Sequence, residues 1–281
     1  MTTLPAPTTL SQADAEAQSQ GLARLDAQML LLHALGRTPH DRAWLMAHGA
    51  EVLADEAARR FDALVLRRLA GEPLAYLTGW REFYGLMLQV DHRVLDPRPD
   101  TETLVDWALE ALKPLPAPRL LDLGTGSGAI ALALQHRRPD AQVHAVDASA
   151  DALAVASANA ARLQLRVHFS QGNWLSPVSG HFHLIASNPP YVAEGDPHLP
   201  ALIHEPRDAL VSGADGLEDL RTIIGQAGAH LQANGWLLLE HGWDQAVAVR
   251  ALLAQAGFVQ IQSRLDLAGI ERCSGGQWPT F

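Results

Sequence analysis

The sequence predicts an α/β protein in which a doubly wound parallel sheet follows a small N-terminal helical domain. Short apolar runs of strand length alternate with helical segments from about Leu120 to Ser263, a pattern typical of parallel sheets. Before them, residues 10–77 show only the helical spacing of apolar side chains. The third observation is a glycine-rich loop after the first of these strands, because such a loop lets the backbone approach a ligand closely.

Composition is consistent with this fold class and restricts the function. The chain has 281 residues, of which 48% are hydrophobic, enough for an α/β core and a smaller domain. A formal net charge of −10 disfavours duplex DNA as the substrate, because DNA affinity depends on Lys and Arg that neutralise phosphates. One cysteine, Cys273, excludes an intrachain disulfide. Without a signal-like start or a run of about 18 apolar residues, we expect a soluble cytoplasmic protein that binds no membrane.

The first part of the chain is divided by local pattern. Met1–Thr9, rich in Thr, Pro and Ala, is predicted to be a disordered lead within a helical bundle domain of residues 1–78. Residues 79–95 connect this bundle to the rest, and the alternation of large apolar residues about Gly85 predicts a β-hairpin there.

Residues 96–281 form the predicted sheet domain. Asp100 or Thr101 is expected to cap its first helix through a side-chain oxygen. The predicted strands are 120–123, 142–146, 166–169, 183–187, 235–240 and 258–263. The predicted helices are 129–136, 151–163, 217–232 and 243–256. The segment Gly275-Gly276-Gln277 is expected to form a turn before a last strand or a mobile tail, where Gln277 could reach the active site.

The glycine-rich loop is a candidate cofactor site. It consists of Gly124, Thr125, Gly126, Ser127 and Gly128, and the helix that follows has free N–H groups at its start. By itself this loop also fits the dinucleotide fingerprint of a dehydrogenase. Asp147, at the end of the second strand, suits the ribose of any adenosine, whether from NAD or from S-adenosylmethionine.

The tetrapeptide Asn188-Pro189-Pro190-Tyr191 follows the fourth predicted strand and points to chemistry on a planar nitrogen. An amide or exocyclic amino nitrogen is a poor nucleophile, so an enzyme that alkylates it must offer acceptors to its N–H groups. Asn188 can offer a side-chain carbonyl and Pro189 a main-chain carbonyl, while Tyr191 can stack on a flat amide or base. The alternative is an ordinary turn after a strand.

Together these motifs resemble the HemK/PrmC family, the glutamine methyltransferases of peptide chain release factors. The resemblance runs from about Gly71 to about Arg272. Besides the loop, Asp147 and the tetrapeptide, it rests on Gly71–Gly79, Arg81-Glu82-Phe83, Pro97–Glu102, Glu205-Pro206 with Ala209-Leu210, and Leu239–Gly242. The order of these motifs along the chain is specific for the family, whereas Asn-Pro-Pro-Tyr alone occurs equally in DNA adenine methyltransferases.

The resemblance implies a Rossmann-like class I methyltransferase sheet that uses S-adenosyl-L-methionine and no metal. It implies that Gly124–Gly128 approaches the amino-acid part of the cofactor, that Asp147 accepts the ribose hydroxyls, and that Asn173 and Trp174 flank the adenine. The tetrapeptide, residues 188–191, would bind the substrate glutamine. Asn188, Pro189 and Tyr191 are the implied catalytic residues, and Asn188 would also touch the cofactor.

The implied substrate is the Gly-Gly-Gln loop of class I release factors, with no nucleic acid partner and a monomeric enzyme. Two residues depart from the family pattern: Asn173 stands where Asp is more frequent, and Asp96 stands where an apolar residue precedes Pro97. Two other function classes remain open from the residues alone. One is methylation of a nucleobase amino nitrogen, and the other is a nicotinamide-dependent oxidoreductase, which leaves residues 188–191 unexplained.

Overall fold

The computed structural model describes residues 8–280 and divides into two compact units, Met1–Gly79 and Trp80–Phe281. Residues 1–7 of the predicted disordered lead lie outside the described residues. For Thr8 and Thr9 the prediction of disorder is wrong. The carbonyl of Thr8 accepts the N–H of Leu53 at 2.9 Å, and Thr9 forms a capping box with Gln12 at the start of the first helix.

The first unit is a bundle of short helices. They are α1 (Leu10–Ser19), α2 (Arg24–Ala34), α3 (Arg42–Ala47), α4 (Asp55–Leu69) and α5 (Leu74–Thr78). Their apolar faces form one core, in which Leu30 and Leu31 of α2 pack with Phe61 and Val65 of α4. Helix α5 is followed by Gly79, whose φ of 79° is the left-handed conformation that glycine adopts easily at a helix end.

The second unit begins with a β-hairpin of β1 (Trp80–Phe83) and β2 (Leu86–Gln89). Tyr84 and Gly85 form its two-residue turn, and both have positive φ (52° and 78°), as tight hairpin turns require. The hairpin is held by Asn159, whose side chain accepts the N–H of Gln89 at 2.7 Å and donates to the Gln89 carbonyl at 2.9 Å.

The remaining elements form a seven-stranded sheet with flanking helices, so the predicted fold class is confirmed. The strands are β3 (Arg119–Leu123), β4 (Gln142–Asp147), β5 (Val167–Gln171), β6 (Phe182–Ser187), β7 (Leu231–Glu240), β8 (Val259–Leu265) and β9 (Glu271–Gln277). The helices are α6 (Glu102–Leu112), α7 (Ala129–Arg137), α8 (Ala150–Leu163), α9 (Glu218–Ala227) and α10 (Ala246–Gln255).

The strand order is β5-β4-β3-β6-β7-β9-β8. Strands β3 to β7 are parallel to one another, and β9 is antiparallel to both β7 and β8. The direction of winding reverses between β3 and β6. Alternate side chains of the central strands enter the core shared with α9 and α10, among them Leu121, Ile185 and Leu237. The intervening side chains, such as Leu120 and Leu184, are also fully buried, so the central strands are covered on both faces.

Three predictions about this unit are wrong. The helix predicted over 217–232 ends at Ala227, a 3₁₀ turn over 228–230 follows, and β7 then begins at Leu231. Thr101 makes no capping hydrogen bond, because its hydroxyl is engaged with Asn188 across the fold. The third error concerns Gly275-Gly276-Gln277, which forms the end of β9 between two other strands and is neither a turn nor a mobile tail.

Within residues 8–280, no helix combines the length and the apolar character that crossing a membrane requires.

Candidate active site

The predicted motifs meet at the carboxyl ends of β3 and β6, where the sheet reverses its winding. Ligands of doubly wound sheets bind in the crevice at this place. Gly124 directly follows β3 and Asn188 directly follows β6, and the two strand ends are joined by Ser187, whose hydroxyl donates to the Leu123 carbonyl at 2.7 Å. A cavity of about 570 Å³ opens here, within the range of small-molecule sites.

The glycine-rich loop forms the floor of this cavity. Gly124, Gly126 and Gly128 have φ values of 68°, 55° and 87°, which side chains with a Cβ rarely adopt. Beneath the loop lies Asp122, whose carboxylate accepts the Thr125 hydroxyl at 2.6 Å and the N–H of Ala131 at 3.1 Å. Complete burial raises the pKa of Asp122 to about 7, while these two donors oppose the rise.

Asp147 ends β4 and lies beside the loop. Its Oδ2 accepts the N–H of Gly126 at 2.8 Å, and its Oδ1 accepts the N–H of Ser149 at 2.9 Å. Each carboxylate oxygen has a second lone pair, and Asp147 lines the cavity, so it can still accept hydrogen bonds from a ligand. The same side chain therefore holds the glycine-rich loop and lines the cavity.

Trp174 forms one wall of the cavity. Its indole N–H donates to Asp219 at 3.1 Å, and its ring stands on Gly124, where a Cβ would lie only 3.2 Å from the ring. Trp174 has a φ of 47°, an uncommon conformation for a bulky residue. Its neighbour Asn173 also lines the cavity and is exposed, with the side-chain amide available to a ligand.

The residues of the Asn-Pro-Pro-Tyr motif have different environments. Asn188 and Pro190 line the cavity, whereas Pro189 is buried. Asn188 donates through Nδ2 to the Thr101 hydroxyl at 3.2 Å, which leaves its Oδ1 as an acceptor. Tyr191 packs against the core, and its hydroxyl donates to Glu240 at 3.3 Å. Burial, and then the charge of Glu240, raises the pKa of Tyr191 above its usual range.

Most of the predicted site residues share this one cavity. Those that line it are Gly124, Thr125, Gly126, Ser127, Asp147, Asn173, Trp174, Asn188 and Pro190. Gly128, Pro189 and Tyr191 lie behind this layer. Gly128 precedes α7, and a Cβ there would lie 2.9 Å from Leu132 and 3.3 Å from Ala156, so close packing requires a glycine at this position.

Several residues at the cavity were not singled out as site residues from the sequence. The cavity is also lined by Arg93, Thr101, Pro206, Asp208, Ala209 and Asp219. The available sequence signal was that Thr101 and Pro206 belong to the segments Pro97–Glu102 and Glu205-Pro206, on which the resemblance rests. An ion pair between Arg98 and the buried Glu205 joins these two segments.

Asp96, the departure before Pro97, lies between two arginines. Its carboxylate is 3.4 Å from Arg81 and 3.3 Å from Arg98. Burial raises the pKa of Asp96, and the two guanidinium groups oppose that rise. The acid thus joins the ion-pair cluster beside Glu205, whose carboxylate accepts the N–H of Asp96 at 3.3 Å.

The part of the chain that the structure describes contains no group of three or more His, Cys, Asp or Glu side chains placed to hold a metal ion.

Comparisons with known proteins match most of the chain. Residues 8–79 match the family described as PrmC N-terminal domain, and residues 101–216 match the Methyltransferase small domain. The release factor glutamine methyltransferase of Bordetella pertussis is 53% identical over 91% of this chain and 95% of its own length. The protein of the same name from Xylella fastidiosa is 49% identical over 99% of this chain and 100% of its own length.

Among solved structures, a methyltransferase from Pyrococcus furiosus is similar in fold, with a TM-score of 0.53 and 18% identity. The match covers 78% of this chain and 98% of that one, and at this identity it supports the fold alone. The sequence relatives carry the family assignment, which confirms the resemblance inferred from the motifs. The chain belongs to the family of release factor glutamine methyltransferases.

Proposed function

We propose that this enzyme methylates the side-chain amide nitrogen of the glutamine in the Gly-Gly-Gln motif of class I peptide chain release factors. S-adenosyl-L-methionine is the methyl donor. The observation that carries the proposal is that Asn188 and the glycine-rich loop line one cavity at the β3/β6 reversal. In this proposal the cavity holds an acceptor for a planar nitrogen beside a nucleoside-sized site. Two sequence relatives named release factor glutamine methyltransferase support the proposed activity.

The residues present fit this cofactor. The glycine-rich loop offers a surface without side chains at Gly126, where a Cβ would meet nothing within 4 Å. Asp147 would accept the ribose hydroxyls, and Trp174 with Asn173 would border the adenine. When bound, S-adenosylmethionine supplies a methyl group made electrophilic by a positively charged sulfur. The protein contributes binding and orientation, and the proposal includes no metal.

The protein groups that act on the substrate are the acceptors of the tetrapeptide. Asn188 Oδ1 and the Pro189 carbonyl would accept the two N–H groups of the glutamine amide and turn its lone pair toward the methyl group. As the nitrogen gains positive character these N–H groups become stronger donors, so acceptors that are already oriented stabilise the transition state more than the ground state. Formation of the nitrogen–carbon bond would break the sulfur–carbon bond and leave S-adenosylhomocysteine. The methylated nitrogen would then lose one proton to water, so a strong base is not required.

One incubation separates the candidate functions. The purified chain is mixed with methyl-labelled S-adenosylmethionine and, in parallel, with a release factor, with the same factor carrying Asn in place of the Gln, and with duplex DNA. We expect label only in the first factor, located on the glutamine by mass spectrometry. Label in DNA would favour nucleobase methylation, and an unlabelled release factor would overturn the proposed function.

Asp147 provides a test of cofactor binding. Asp147→Ala removes two charge-assisted hydrogen bonds to the ribose, each worth about 1.5–3 kcal/mol, and we expect S-adenosylmethionine affinity to fall at least tenfold in calorimetry. The control is Ser149→Ala, which removes the N-cap of α8 at the same rim and should cost about 1 kcal/mol of stability with little loss of affinity. Equal affinities of Asp147→Ala and wild type would remove Asp147 from the ribose site.

A further inference from the structure

The side chain of Gln245 joins three backbone segments that come from distant parts of the chain. Gln245 directly precedes α10, and its Nε2 donates to the Tyr191 carbonyl at 3.0 Å and to the Gly216 carbonyl at 3.3 Å. Its Oε1 accepts the N–H of Gly242 at 2.8 Å. Tyr191 ends the Asn-Pro-Pro-Tyr motif after β6, Gly216 lies in the loop before α9, and Gly242 follows β7. One amide therefore links the carboxyl ends of two neighbouring strands to a third segment.

The orientation of this amide is fixed by its partners. A carbonyl oxygen can only accept a hydrogen bond and a backbone N–H can only donate one. The NH₂ group of Gln245 must therefore face Tyr191 and Gly216, and its oxygen must face Gly242. Rotation of the amide by half a turn would place its oxygen against two carbonyl oxygens and break all three bonds. Because all three partners are main-chain groups, the side chain has one satisfied orientation.

Two glycines leave room for this cross-link. A Cβ on Gly216 would overlap the Tyr191 carbonyl oxygen and lie 2.8 Å from Gln245 Nε2, and Gly216 also has a positive φ of 73°. A Cβ on Gly242 would lie 3.0 Å from Gln245 Oε1. The missing side chains let both backbone segments approach the half-buried amide closely, so Gln245 is packed into the fold at this place.

The turn after β6 is joined to the loop before α9 at a second place. The N–H of Val192 donates to the Leu210 carbonyl at 2.8 Å, and the Val192 carbonyl accepts the N–H of Ser212 at 2.9 Å. Leu210 directly follows Ala209, which lines the cavity. These bonds and the cross-link by Gln245 hold together two segments that both contribute to the cavity.

We infer that Gln245 is a positioning residue of the methyl transfer, because it holds the main chain of the Asn-Pro-Pro-Tyr motif where its acceptors can meet the substrate amide. The Tyr191 carbonyl lies two residues beyond the Pro189 carbonyl. Since Pro189 and Pro190 both have a fixed φ, a shift of the first carbonyl moves the second. A displacement of about 1 Å in a reacting site can cost on the order of 10²-fold in rate. The inference rests on the proposed function, in which Asn188 and Pro189 accept the substrate N–H groups.

Gln245→Met tests this role, because methionine is similar in length and shape but supplies no N–H donor and only a weak acceptor. We expect kcat at saturating substrates to fall about tenfold, with KM for release factor and the dissociation constant of S-adenosylmethionine within about threefold of wild type. Gln255→Met is the matched control, since it makes the same change at an exposed position of the same helix and should leave kcat unchanged. Equal kcat in the two methionine variants would refute the inference.

Gln245→Glu separates the donors of this side chain from its acceptor. At pH 8 the carboxylate can still accept the N–H of Gly242, but it has no proton to give to the Tyr191 carbonyl. We therefore expect a kcat at least as low as that of Gln245→Met. A wild-type kcat in the Glu variant would show that donation to Tyr191 is not needed, and the inference would be wrong.

Leu253→Ala distinguishes positioning from stability. Leu253 is fully buried and lies about two turns beyond Gln245 on α10, so loss of its side chain should lower the melting temperature more than Gln245→Met does. We expect its kcat, measured well below the melting temperature, to stay within about twofold of wild type. If Leu253→Ala were as slow as Gln245→Met, Gln245 would act only through the stability of α10.

A measurement independent of activity is available in the side-chain NH₂ resonances of Asn188 in ¹⁵N-labelled protein, assigned by their loss in Asn188→Ala. They should shift in Gln245→Met and stay in place in Gln255→Met, because only the first variant releases the turn. Unshifted resonances together with normal kcat in Gln245→Met would overturn the inference. A wild-type chain that left release factor unmethylated, while the resonances shifted in Gln245→Met, would overturn only the proposed function.

Discussion

Replacing Asn188 by Ala should lower kcat for release factor methylation on the order of 10²–10³-fold. This is the scale of loss when one preorganised polar group is removed from an active site. The affinity for S-adenosylmethionine should fall much less, because the glycine-rich loop and Asp147 line the cavity independently of Asn188. Single-turnover methylation, with both ligands saturating, measures the effect without interference from product release.

Asn188→Asp distinguishes the acceptor role from a structural one. It keeps an oxygen at the site but adds a negative charge near the sulfonium, which stabilises the cofactor's ground state and lowers its reactivity. It also removes the NH₂ group that Thr101 accepts. We therefore expect this variant to bind the cofactor at least as well as wild type and still react slowly. Near-normal rates in both variants would mean that Asn188 only shapes the turn after β6.

Removal of the first unit should abolish methylation of intact release factor while cofactor binding is retained. A protein substrate is much larger than the reactive loop that enters a cavity of about 570 Å³, so it requires a second docking surface. We propose that residues 8–79 supply that surface. A chain beginning at Trp80 keeps the complete sheet and every residue that lines the cavity. Its calorimetric affinity for S-adenosylmethionine serves as the control for folding.

A milder form of this test uses the full chain. Leu66 and Leu69 lie three residues apart on α4 and are 67% and 43% exposed, an apolar pair that the bundle core does not use. Leu66→Ser with Leu69→Ser should raise KM for release factor with little change in kcat or in the melting temperature. For the truncation described above, the contrary result would be a chain beginning at Trp80 that methylates intact release factor at the wild-type rate. The first unit would then contribute to stability and not to docking.

The arrangement of the site was predictable because its motifs follow strands. Apolar runs and helical spacing identify β3, β4 and β6, and the ends of parallel strands meet at one edge of the sheet. The sequence therefore predicts that Gly124, Asp147 and Asn188 lie close together. The positions of these three residues do not depend on the bounds of the helices, so the error at the end of α9 left the predicted site unchanged.

The features that were missed depend on contacts between distant parts of the chain. Thr101 has the local pattern of a helix cap, but its hydroxyl bonds to Asn188, which lies 87 positions later. β9 was missed because Gly275 and Gly276 carry no side chains that could show the alternation of a strand. They are glycines for a packing reason, since a Cβ on Gly275 would lie 2.5 Å from the Leu237 carbonyl oxygen.

The chain contains, in β9, the tripeptide that it is proposed to modify in its substrate. Gly275 pairs with both Leu238 and Gln262. Gln277 pairs with Trp236 in the middle of β7 and with Val259 at the start of β8, away from the strand ends where the cavity opens. Pairing on both sides makes this copy of the motif inaccessible to the enzyme's own active site. Sequence alone would then not decide which Gly-Gly-Gln is methylated. A copy must also be free of strand pairing before it can enter the cavity, and the copy in β9 is not.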